Sequence, residues 1–313
     1  MKTLVLSMIS IAATVAAMTA CTSESDPIND ITNPKDAKVE INVTANVLKA
    51  EVQSKAAVTG NVLTGVQILR KNAKPADLAS TNWGTTPIVV DIENSTSNIF
   101  EKNQQYYEPS GENAYFIGFY PAGTVSNTGI VTFTDMTGKQ DLLLSNELDA
   151  GARGSVTNSP ALTFSHKLAL IKFTFKQGTG YPNNDNVTRL TVKGVELPAS
   201  MKLSDGTITY TTDKAATGIT AFSSKNYAIN AAGTAINDED ALMIEPEKDI
   251  TLEITTEKGT FTVSSVKINN SDSEKIAAGK QYNISITFNG TAANATATIT
   301  PWGEAIDGEG STN

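Results

Sequence analysis

KVEINVTANV, at residues 38–47, alternates apolar and polar side chains along its whole length. Every second residue is apolar: Val39, Ile41, Val43, Ala45 and Val47. Successive side chains of a β-strand point to opposite faces, so this spacing predicts a strand with one buried face and one solvated face. The stretch is the first of a series, and the series predicts the fold class.

Similar runs recur along the rest of the chain, while helical periodicity is almost absent. They are rich in Val, Ile, Thr, Phe and Tyr and are separated by Gly, Asn, Asp and Pro. The runs are residues 62–69, 88–92, 114–120, 130–133, 141–144, 162–175, 190–197, 207–210, 241–244, 250–255, 261–268, 282–288 and 295–299. Many short strands with turn residues between them are typical of β-sandwiches. We therefore predict an all-β protein.

The run at residues 162–175 changes face partway along. Two sets of apolar residues divide it: Leu162, Phe164, Leu168 and Leu170 share one parity, and Ile171, Phe173 and Phe175 share the other. A flat strand cannot place both sets on one face, because its side chains alternate with a period of two. The pattern predicts either a bulge near Leu170 or a strand that crosses between two sheets.

Just before this run lies the most loop-like internal stretch, DAGARGSVTNSP at residues 149–160. We place a domain boundary there, between an N-terminal β-sandwich domain at 38–158 and a C-terminal one at 159–313 that includes a terminal strand and tail. A length of 313 residues agrees with two domains, because domains average roughly 150 residues.

The start of the chain predicts export. An apolar run at residues 4–17 follows Lys2 and leads into Met18-Thr19-Ala20-Cys21. The run is too short to span a bilayer and long enough for the core of a signal peptide. The block resembles a bacterial lipoprotein signal, with Met18 where Leu is more usual. Cys21 would carry a thioether-linked lipid, and two or more acyl chains anchor a protein stably. The alternative is an ordinary secretory signal at residues 1–20 with a chance cysteine.

Residues 21–37 predict a flexible tether. They are polar and acidic, contain Pro27 and Pro34, and have too little apolar surface to pack. Glu24 and Asp26, close behind the cysteine, also resemble the sorting signal of Bacteroidetes lipoproteins that reach the outer surface of the outer membrane. A generic linker is the alternative.

Composition excludes several partners and cross-links. Lys and Arg number 24 against 33 Asp and Glu, which gives a net charge of −9. Such a chain lacks the basic surface that nucleic acid or anionic lipid requires. With a single cysteine no intrachain disulfide can form, and the lipid on Cys21 would be the membrane contact.

Catalytic signals are weak. His166 is the only histidine, so it excludes a multi-histidine metal site and is the only base available to a Ser-His-Asp triad. It lies in an apolar strand, and the chain has no Gly-x-Ser-x-Gly elbow, P-loop or dinucleotide-type glycine pattern. We predict a protein that is not an enzyme, with no catalytic residue, metal or cofactor.

Two further possibilities stay open. Paired carboxylates at residues 238–240 and 307–309 could serve a glycosidase, although solvated loops explain them better. Four aromatic residues could stack on sugars or instead serve as interface groups or core anchors. These candidates are Trp83, Tyr106, Tyr107 and Trp302.

Several motifs carry a family resemblance. ALTFSHKLALIKFTF at residues 161–175 resembles the L-x-F-x-H-x-L-A segment of the fimbrillin-like proteins of Bacteroidetes. The Gly-x-x-Tyr at residues 279–282, the strand at 284–288 and the closing ATITPWG at 297–303 are similar to that family's C-terminal pattern. Phe119-Tyr120-Pro121 also resembles a family segment. The order of lipoprotein signal, N-terminal strand, His166 segment and closing Trp302 matches the family and covers most of the chain.

The resemblance implies two β-sandwich domains of the transthyretin-like, Greek-key type and a structural role in a cell-surface fimbria that supports adhesion. It implies other fimbrial subunits as partners through strand exchange, and host or bacterial surface glycans or proteins as further partners. It also implies a surface-exposed lipoprotein or fimbrium at the cell outer membrane. A surface glycan-binding lipoprotein is the alternative from another class.

The resemblance further implies that a protease removes the first strand after a basic residue. Lys49, Lys55 and Arg70 are the candidates, and Lys55-Ala56 fits best because it follows the strand among small, polar residues. No arginine precedes Arg70, which departs from cleavage by an Arg-specific protease. An uncut chain would remain a lipid-tethered anchor subunit. Residues 294–300 and the tail to Asn313 are the candidate donors for strand exchange.

Overall fold

The computed structural model describes residues 37–47, 63–80, 82–93, 95–156, 160–264, 266–268, 274–290 and 292–301. The predicted signal peptide and nearly all of the tether lie outside the described residues, as do Cys21, Lys55, Ala56 and Trp302. The tail after residue 301 and the acidic cluster at 307–309 also lie outside them.

Regular structure in the described residues is almost entirely β, which confirms the predicted fold class. The strands up to the run at 162–175 are β1 (Glu40–Ile41), β2 (Thr44–Val47), β3 (Leu63–Ala73), β4 (Ile88–Ile92), β5 (Gln105–Tyr106), β6 (Asn113–Tyr120), β7 (Thr124–Val125), β8 (Ile130–Thr132), β9 (Leu143–Ser145), β10 (Leu148–Asp149), β11 (Gly151–Ala152), β12 (Ser155–Val156) and β13 (Ala161–His166). A short 3-10 helix, Pro75–Ser80, follows β3.

The later strands are β14 (Ala169–Gln177), β15 (Asn186–Lys193), β16 (Pro198–Lys202), β17 (Ile208–Tyr210), β18 (Ile219–Ala228), β19 (Thr234–Ala235), β20 (Leu242–Ile244), β21 (Thr251–Thr256), β22 (Gly259–Val263), β23 (Lys267–Ile268), β24 (Lys280–Asn289) and β25 (Ala292–Pro301). One turn of α-helix, α1 (Lys214–Thr217), and a 3-10 helix, Asp238–Asp240, complete the set. Among these helices, none has the length and apolarity needed to cross a membrane.

A seven-stranded sheet organises the first half of the chain. Its strand order is β2-β13-β9-β6-β3-β4, and β10 also pairs with β6. Both faces of its central strands are buried: Phe116 of β6 belongs to one core and the adjacent Ile117 to another. Burial on both faces explains why β6 is nearly continuously apolar rather than alternating.

Two sheets of the second half share a core, as in a β-sandwich. One has the order β19-β14-β24-β25-β23, with β20 also paired to β14, and the other has the order β18-β15-β21-β22. Ile171 and Ile284 of the first sheet and Leu190 and Leu252 of the second belong to one buried cluster. Alternation along β14, β21 and β24 places their apolar faces in this cluster.

A third sheet connects the two halves. Its order is β17-β16-β8-β7, so β8 from the first half pairs with β16 from the second. Under it lies a core to which Phe119 of β6, Met201 of β16 and Met243 of β20 contribute. The described residues from Lys38 onward belong to one compact unit.

The change of face in residues 162–175 corresponds to a change of sheet. β13 pairs with β2 and β9 in the seven-stranded sheet, whereas β14 pairs with β24 and β20. The predicted crossing is therefore confirmed, and it occurs between His166 and Ala169. Because β13 belongs to the seven-stranded sheet, its backbone pairing places residues 161–166 with the N-terminal half. The division at 158/159 and the two-domain Greek-key arrangement stay predictions.

Candidate strand-exchange groove

Residues 38–47, called the first segment below, bury one face. Ile41, Val43 and Ala45 have no exposed area, and Val39 and Val47 are half-buried against the same core. The alternate residues, such as Glu40 and Asn42, are exposed. The buried face predicted from the sequence is therefore confirmed. The site that this face occupies is called the groove.

Few backbone pairs hold the first segment, and they are divided between two partners. β1 pairs with β5 in an antiparallel ladder of two residues, and β2 pairs with β13 in a parallel ladder of four. β2 is also the edge strand of its sheet. A short parallel edge ladder is a weak form of pairing, because parallel pairs are slightly less stable per residue and the outer edge has no partner.

A second wall of the groove is formed by residues 98–107, called the wall segment. The backbone N–H of Tyr107 donates to the carbonyl of Val39 (2.9 Å), and the N–H of Ile99 donates to the carbonyl of Val43 (2.8 Å). Ile99 lies in a turn and Tyr107 directly after the two-residue strand β5, so neither donor belongs to a long strand. Loss of the first segment would leave them without these acceptors.

Arg70, in the middle of β3, fixes the wall segment. Its guanidinium donates to the backbone carbonyl of Tyr106 (2.7 Å) and to the side-chain oxygen of Gln105 (3.1 Å). It also lies 3.7 Å from a carboxylate oxygen of Glu108. Burial lowers the pKa of Arg70, and the charge of Glu108 opposes that shift. The arginine therefore binds the strand that pairs with β1 to the centre of the seven-stranded sheet.

This position makes Arg70 a poor cleavage site. Its backbone lies in a strand paired with β6, where Arg70 is opposite Phe116. Its side chain is largely buried, with 16% of its area exposed. A protease must extract both the backbone and the side chain of the residue that it recognises. Lys55 and Ala56 lie outside the described residues, so cleavage there stays a prediction.

The aromatic candidates occupy different environments. Trp83 is half-buried against the core under the third sheet, with the Lys71 ammonium 4.0 Å from its ring centroid. Tyr106 is half-buried, and Lys38 lies 5.1 Å from its ring centroid. Cations therefore already cover part of both rings.

Tyr107 is a core residue. It is 4% exposed, and its hydroxyl donates to the carbonyl of Ala150 at 2.7 Å. Burial raises the pKa of its phenol, and the charge of Asp149 acts in the same direction. A ring in this position has no face open for stacking on a sugar, so among the roles considered for it the core anchor fits. Trp302 lies outside the described residues.

His166 pairs with a buried aspartate. Its Nδ1 lies 2.7 Å from Oδ2 of Asp141, and both side chains are inside the protein. The pair lies at the end of β13, next to the crossing between the sheets. Among the described residues, no group of three or more His, Cys, Asp or Glu side chains could hold a metal ion.

The acidic cluster at residues 238–240 takes part in structural contacts. Asp238 pairs with Lys172 (2.5 Å), and Glu239 pairs with Lys225 (2.7 Å). Asp240 is buried and accepts a hydrogen bond from the Tyr227 hydroxyl. Two of these carboxylates therefore pair with lysines and the third bonds to a tyrosine, which are structural contacts of a turn. Residues 238–240 do not line the pocket beside residues 89–103 or the one beside residues 248–276.

The candidate donor strand is firmly paired in its own sheet. β25 is antiparallel to β24 along ten residues and also pairs with β23. Donation by residues 294–300 would therefore require the loss of this ladder. The donor role of these residues and of the tail stays a prediction.

We compared the chain with known protein families, curated proteins and solved structures. The sequence profile of the fimbrillin-like family matches residues 54–302. Among curated proteins, none matches the chain. Two solved structures, from Bacteroides uniformis and Bacteroides ovatus, are of proteins provisionally assigned to cell adhesion.

The first of these is 16% identical, covers 84% of this chain and 99% of its own, and has a TM-score of 0.53. The second is 18% identical, covers 85% and 98% respectively, and has the same TM-score of 0.53. A fimbrial protein from Bacteroides vulgatus is 13% identical, with coverages of 83% and 99% and a TM-score of 0.46. At these identities the first two likenesses show a shared fold. The profile match over most of the sequence shows that the chain belongs to the fimbrillin-like family.

Proposed function

We propose that this protein is a structural subunit of a cell-surface fimbria, exported as a lipoprotein precursor and assembled by β-strand exchange in support of adhesion. The observation that carries the proposal is the first segment. It combines a fully buried apolar face with short, divided ladders at a sheet edge. Membership of the fimbrillin-like family supports the fimbrial role.

Two kinds of contact made by this segment support strand exchange. Removal of Ile41 and Val43 would expose apolar core, and burial of each such side chain stabilises a protein by roughly 1.5–3 kcal/mol. It would also free the N–H groups of Ile99 and Tyr107. A partner's strand would restore both kinds of contact by β-augmentation. The joint would be tight because each replaced hydrogen bond adds about 1 kcal/mol net.

Lipidation of Cys21 would deliver the precursor to the outer surface of the outer membrane. The support is the apolar run that ends at Met18-Thr19-Ala20-Cys21 and the acidic tether behind it. A Cys21→Ser variant should lose its lipid and leave the membrane fraction. Labelled palmitate incorporation measures this directly, and equal labelling of the variant and the wild type would contradict it.

An uncleaved anchor subunit is the second candidate. The observation in its favour is that no arginine precedes Arg70 and that Arg70 itself is bound within β3. A chain whose first segment is never removed keeps its own groove filled. It would join a fimbria only through another surface, while the lipid holds it at the membrane.

The test uses the full chain with a specific protease sequence inserted at Lys55-Ala56. The folded protein is cut there and examined by light scattering over a range of concentrations, beside the uncut protein. The proposal predicts concentration-dependent oligomers for the cut protein alone. A cut protein that stays monomeric at high concentration would refute assembly through this groove and leave the anchor role.

A further inference from the structure

Asn98 contacts the first segment at the junction of β1 and β2. Its Oδ1 accepts hydrogen bonds from the backbone N–H groups of Val43 (3.2 Å) and Phe100 (3.1 Å). Its Nδ2 donates to Oδ1 of Asn42 at 2.9 Å. Two backbone donors determine which end of the amide is oxygen, so the Asn98 amino group must face Asn42 and can only donate to it.

Asn46 provides an internal comparison for Asn42. Both asparagines are exposed, and they lie on the same solvated face of the first segment. Within the described part of the chain, Asn42 bonds to Asn98, and Asn46 has no side-chain hydrogen bond among those found. Of these two asparagines, Asn42 is therefore the one whose side chain bonds to the groove.

The apolar face of the first segment includes one small residue, Ala45. Ala45 is opposite Leu162 of β13 and has no exposed area. A larger side chain there would overpack a closed core, which typically costs about 1–3 kcal/mol. The neighbouring inward positions hold the larger side chains of Ile41 and Val43.

We propose that the groove selects its occupant by sequence. It accepts a strand of a second subunit that has a hydrogen-bond acceptor, namely Asn, Asp, Ser or Thr, at the position of Asn42. That strand also has a small residue at the position of Ala45 and larger apolar residues at the positions of Val39, Ile41, Val43 and Val47. This inference rests on the proposed function, because it describes the partner that strand exchange would admit.

Contacts within the wall segment orient the Asn98 amide. The bond from the N–H of Phe100 to Oδ1 does not involve the occupant, since both residues belong to the wall segment. Arg70 fixes the far end of that segment through Tyr106. The amino group of Asn98 is therefore positioned by the wall segment and not by the occupant.

The experiment uses the full chain cut at the inserted site at Lys55-Ala56 and labelled peptides of residues 38–47. Displacement of the native segment is measured by fluorescence anisotropy for the native peptide and its variants. Loss of one hydrogen bond predicts about fivefold weaker uptake of the Asn42→Ala peptide. The matched Asn46→Ala peptide should stay within about twofold of the native peptide, and Ala45→Leu should weaken uptake by about tenfold or more.

An Asn98→Asp protein then tests the contact itself. This variant keeps an oxygen for Val43 and Phe100 but replaces the amino group by a second oxygen. The Asn42→Asp peptide should enter the wild-type groove at least as well as the native peptide. It should enter the Asn98→Asp groove about tenfold more weakly, because two carboxylates would face each other. The Asn46→Asp peptide is the control for overall charge.

The outcomes separate the inference from the proposed function. Selection by sequence would be overturned, and strand exchange left standing, if the Asn42→Ala and Asn46→Ala peptides lost affinity equally. The same conclusion would follow if uptake of the Asn42→Asp peptide did not change between the wild-type and Asn98→Asp proteins. Failure of the native peptide to enter the cut wild-type protein would overturn strand exchange itself. In that case a double-mutant cycle of Asn42→Asp and Asn98→Asp in the uncut chain, followed by urea unfolding, decides the contact, and the absence of coupling would overturn it.

Discussion

The first segment contains the first two strands of the described residues and β25 is the last, and the two regions differ in how they are held. The first segment is divided into ladders of two and four residues with different partners. β25 forms one ladder of ten residues with β24, and β23 pairs with it as well. The first segment is therefore held mainly by its apolar side chains, whereas β25 is held by a continuous backbone ladder.

Under the proposed strand exchange, this difference favours the first segment as the strand that is replaced. Apolar contacts are non-directional, so any strand with suitable side chains can replace them. A long ladder must be broken over its length before the strand leaves, and each bond lost exposes unpaired groups. The first segment is thus suited to replacement, and β25 is suited to closing its sheet.

A charge at the centre of the groove should destabilise the first segment more than any other change considered below. Val43→Asp places a carboxylate where no area is exposed. Burial of an unpaired charge is strongly unfavourable, so we expect a loss of roughly 3 kcal/mol or more in unfolding free energy or release of the first segment. Urea unfolding and limited proteolysis measure the two effects.

Asn46→Asp is the matched control, since that residue lies on the exposed face of the same strand. It should change the unfolding free energy by less than about 0.5 kcal/mol. A similar loss in both variants would show that charge alone, rather than burial at position 43, causes the effect.

Arg70→Met should loosen the wall segment. It removes the hydrogen bonds to the Tyr106 carbonyl and to Gln105 and leaves these acceptors partly buried. We expect a loss of about 1–3 kcal/mol in unfolding free energy and faster exchange of the Tyr107 amide. The control is Arg189→Met, an exposed arginine that bonds to the Thr220 hydroxyl (3.3 Å), for which less than about 0.5 kcal/mol is expected. An unaltered Tyr107 amide in the Arg70 variant would contradict the role of this arginine.

Tyr107→Phe should have a smaller effect that depends on pH. The hydroxyl bonds to Ala150, so the variant should lose about 1 kcal/mol at neutral pH. Burial raises the folded-state pKa of Tyr107 above its ordinary value of 10.0. The unfolded state therefore loses its proton first, and stability falls as the pH rises above that ordinary value. The difference between wild type and variant should shrink over this range in urea titrations, and a constant difference would contradict the assignment.

A disulfide between β24 and β25 should have the least effect, because it should leave oligomer formation unchanged. Asn283 and Thr298 are opposite each other in the β24–β25 register, so Asn283→Cys with Thr298→Cys places two thiols within reach of a disulfide. If β25 stays in its own sheet, the cut protein should form oligomers equally well when the disulfide is closed and when it is reduced. Loss of oligomers on closure alone would identify β25 as the donor.

Sequence patterns predicted much of this fold because alternation reports burial locally. The buried face of the first segment follows from parity, and parity also predicted that residues 162–175 contain either a bulge or the crossing that is observed after His166. β18 was missed because Ser223, Ser224, Lys225 and Asn226 interrupt its apolar pattern. Its register with β15 also shifts, and Ser224 adopts a positive φ of 57°.

The wall segment was harder to predict, because its function arises from contacts distant in sequence. Arg70 bonds to residues 35 and 36 positions away. One signal was present. Arg70 has the parity of Val66 and Ile68, which are buried in the same core as the apolar face of the first segment, and a charge on such a face requires partners. No comparable signal marks Asn98, whose partner is 56 positions away.

The central claim, that the first segment leaves the fold independently of the rest, is tested most directly by native-state hydrogen exchange of the uncut protein. The amides of Thr44, Ile99 and Tyr107 are bonded to or within the first segment, whereas those of β24 and β25 belong to the long ladder. We predict that the first group exchanges through a shared local opening whose free energy is well below that of global unfolding, while the ladder amides require global unfolding. Exchange of both groups at the same global free energy would contradict the account.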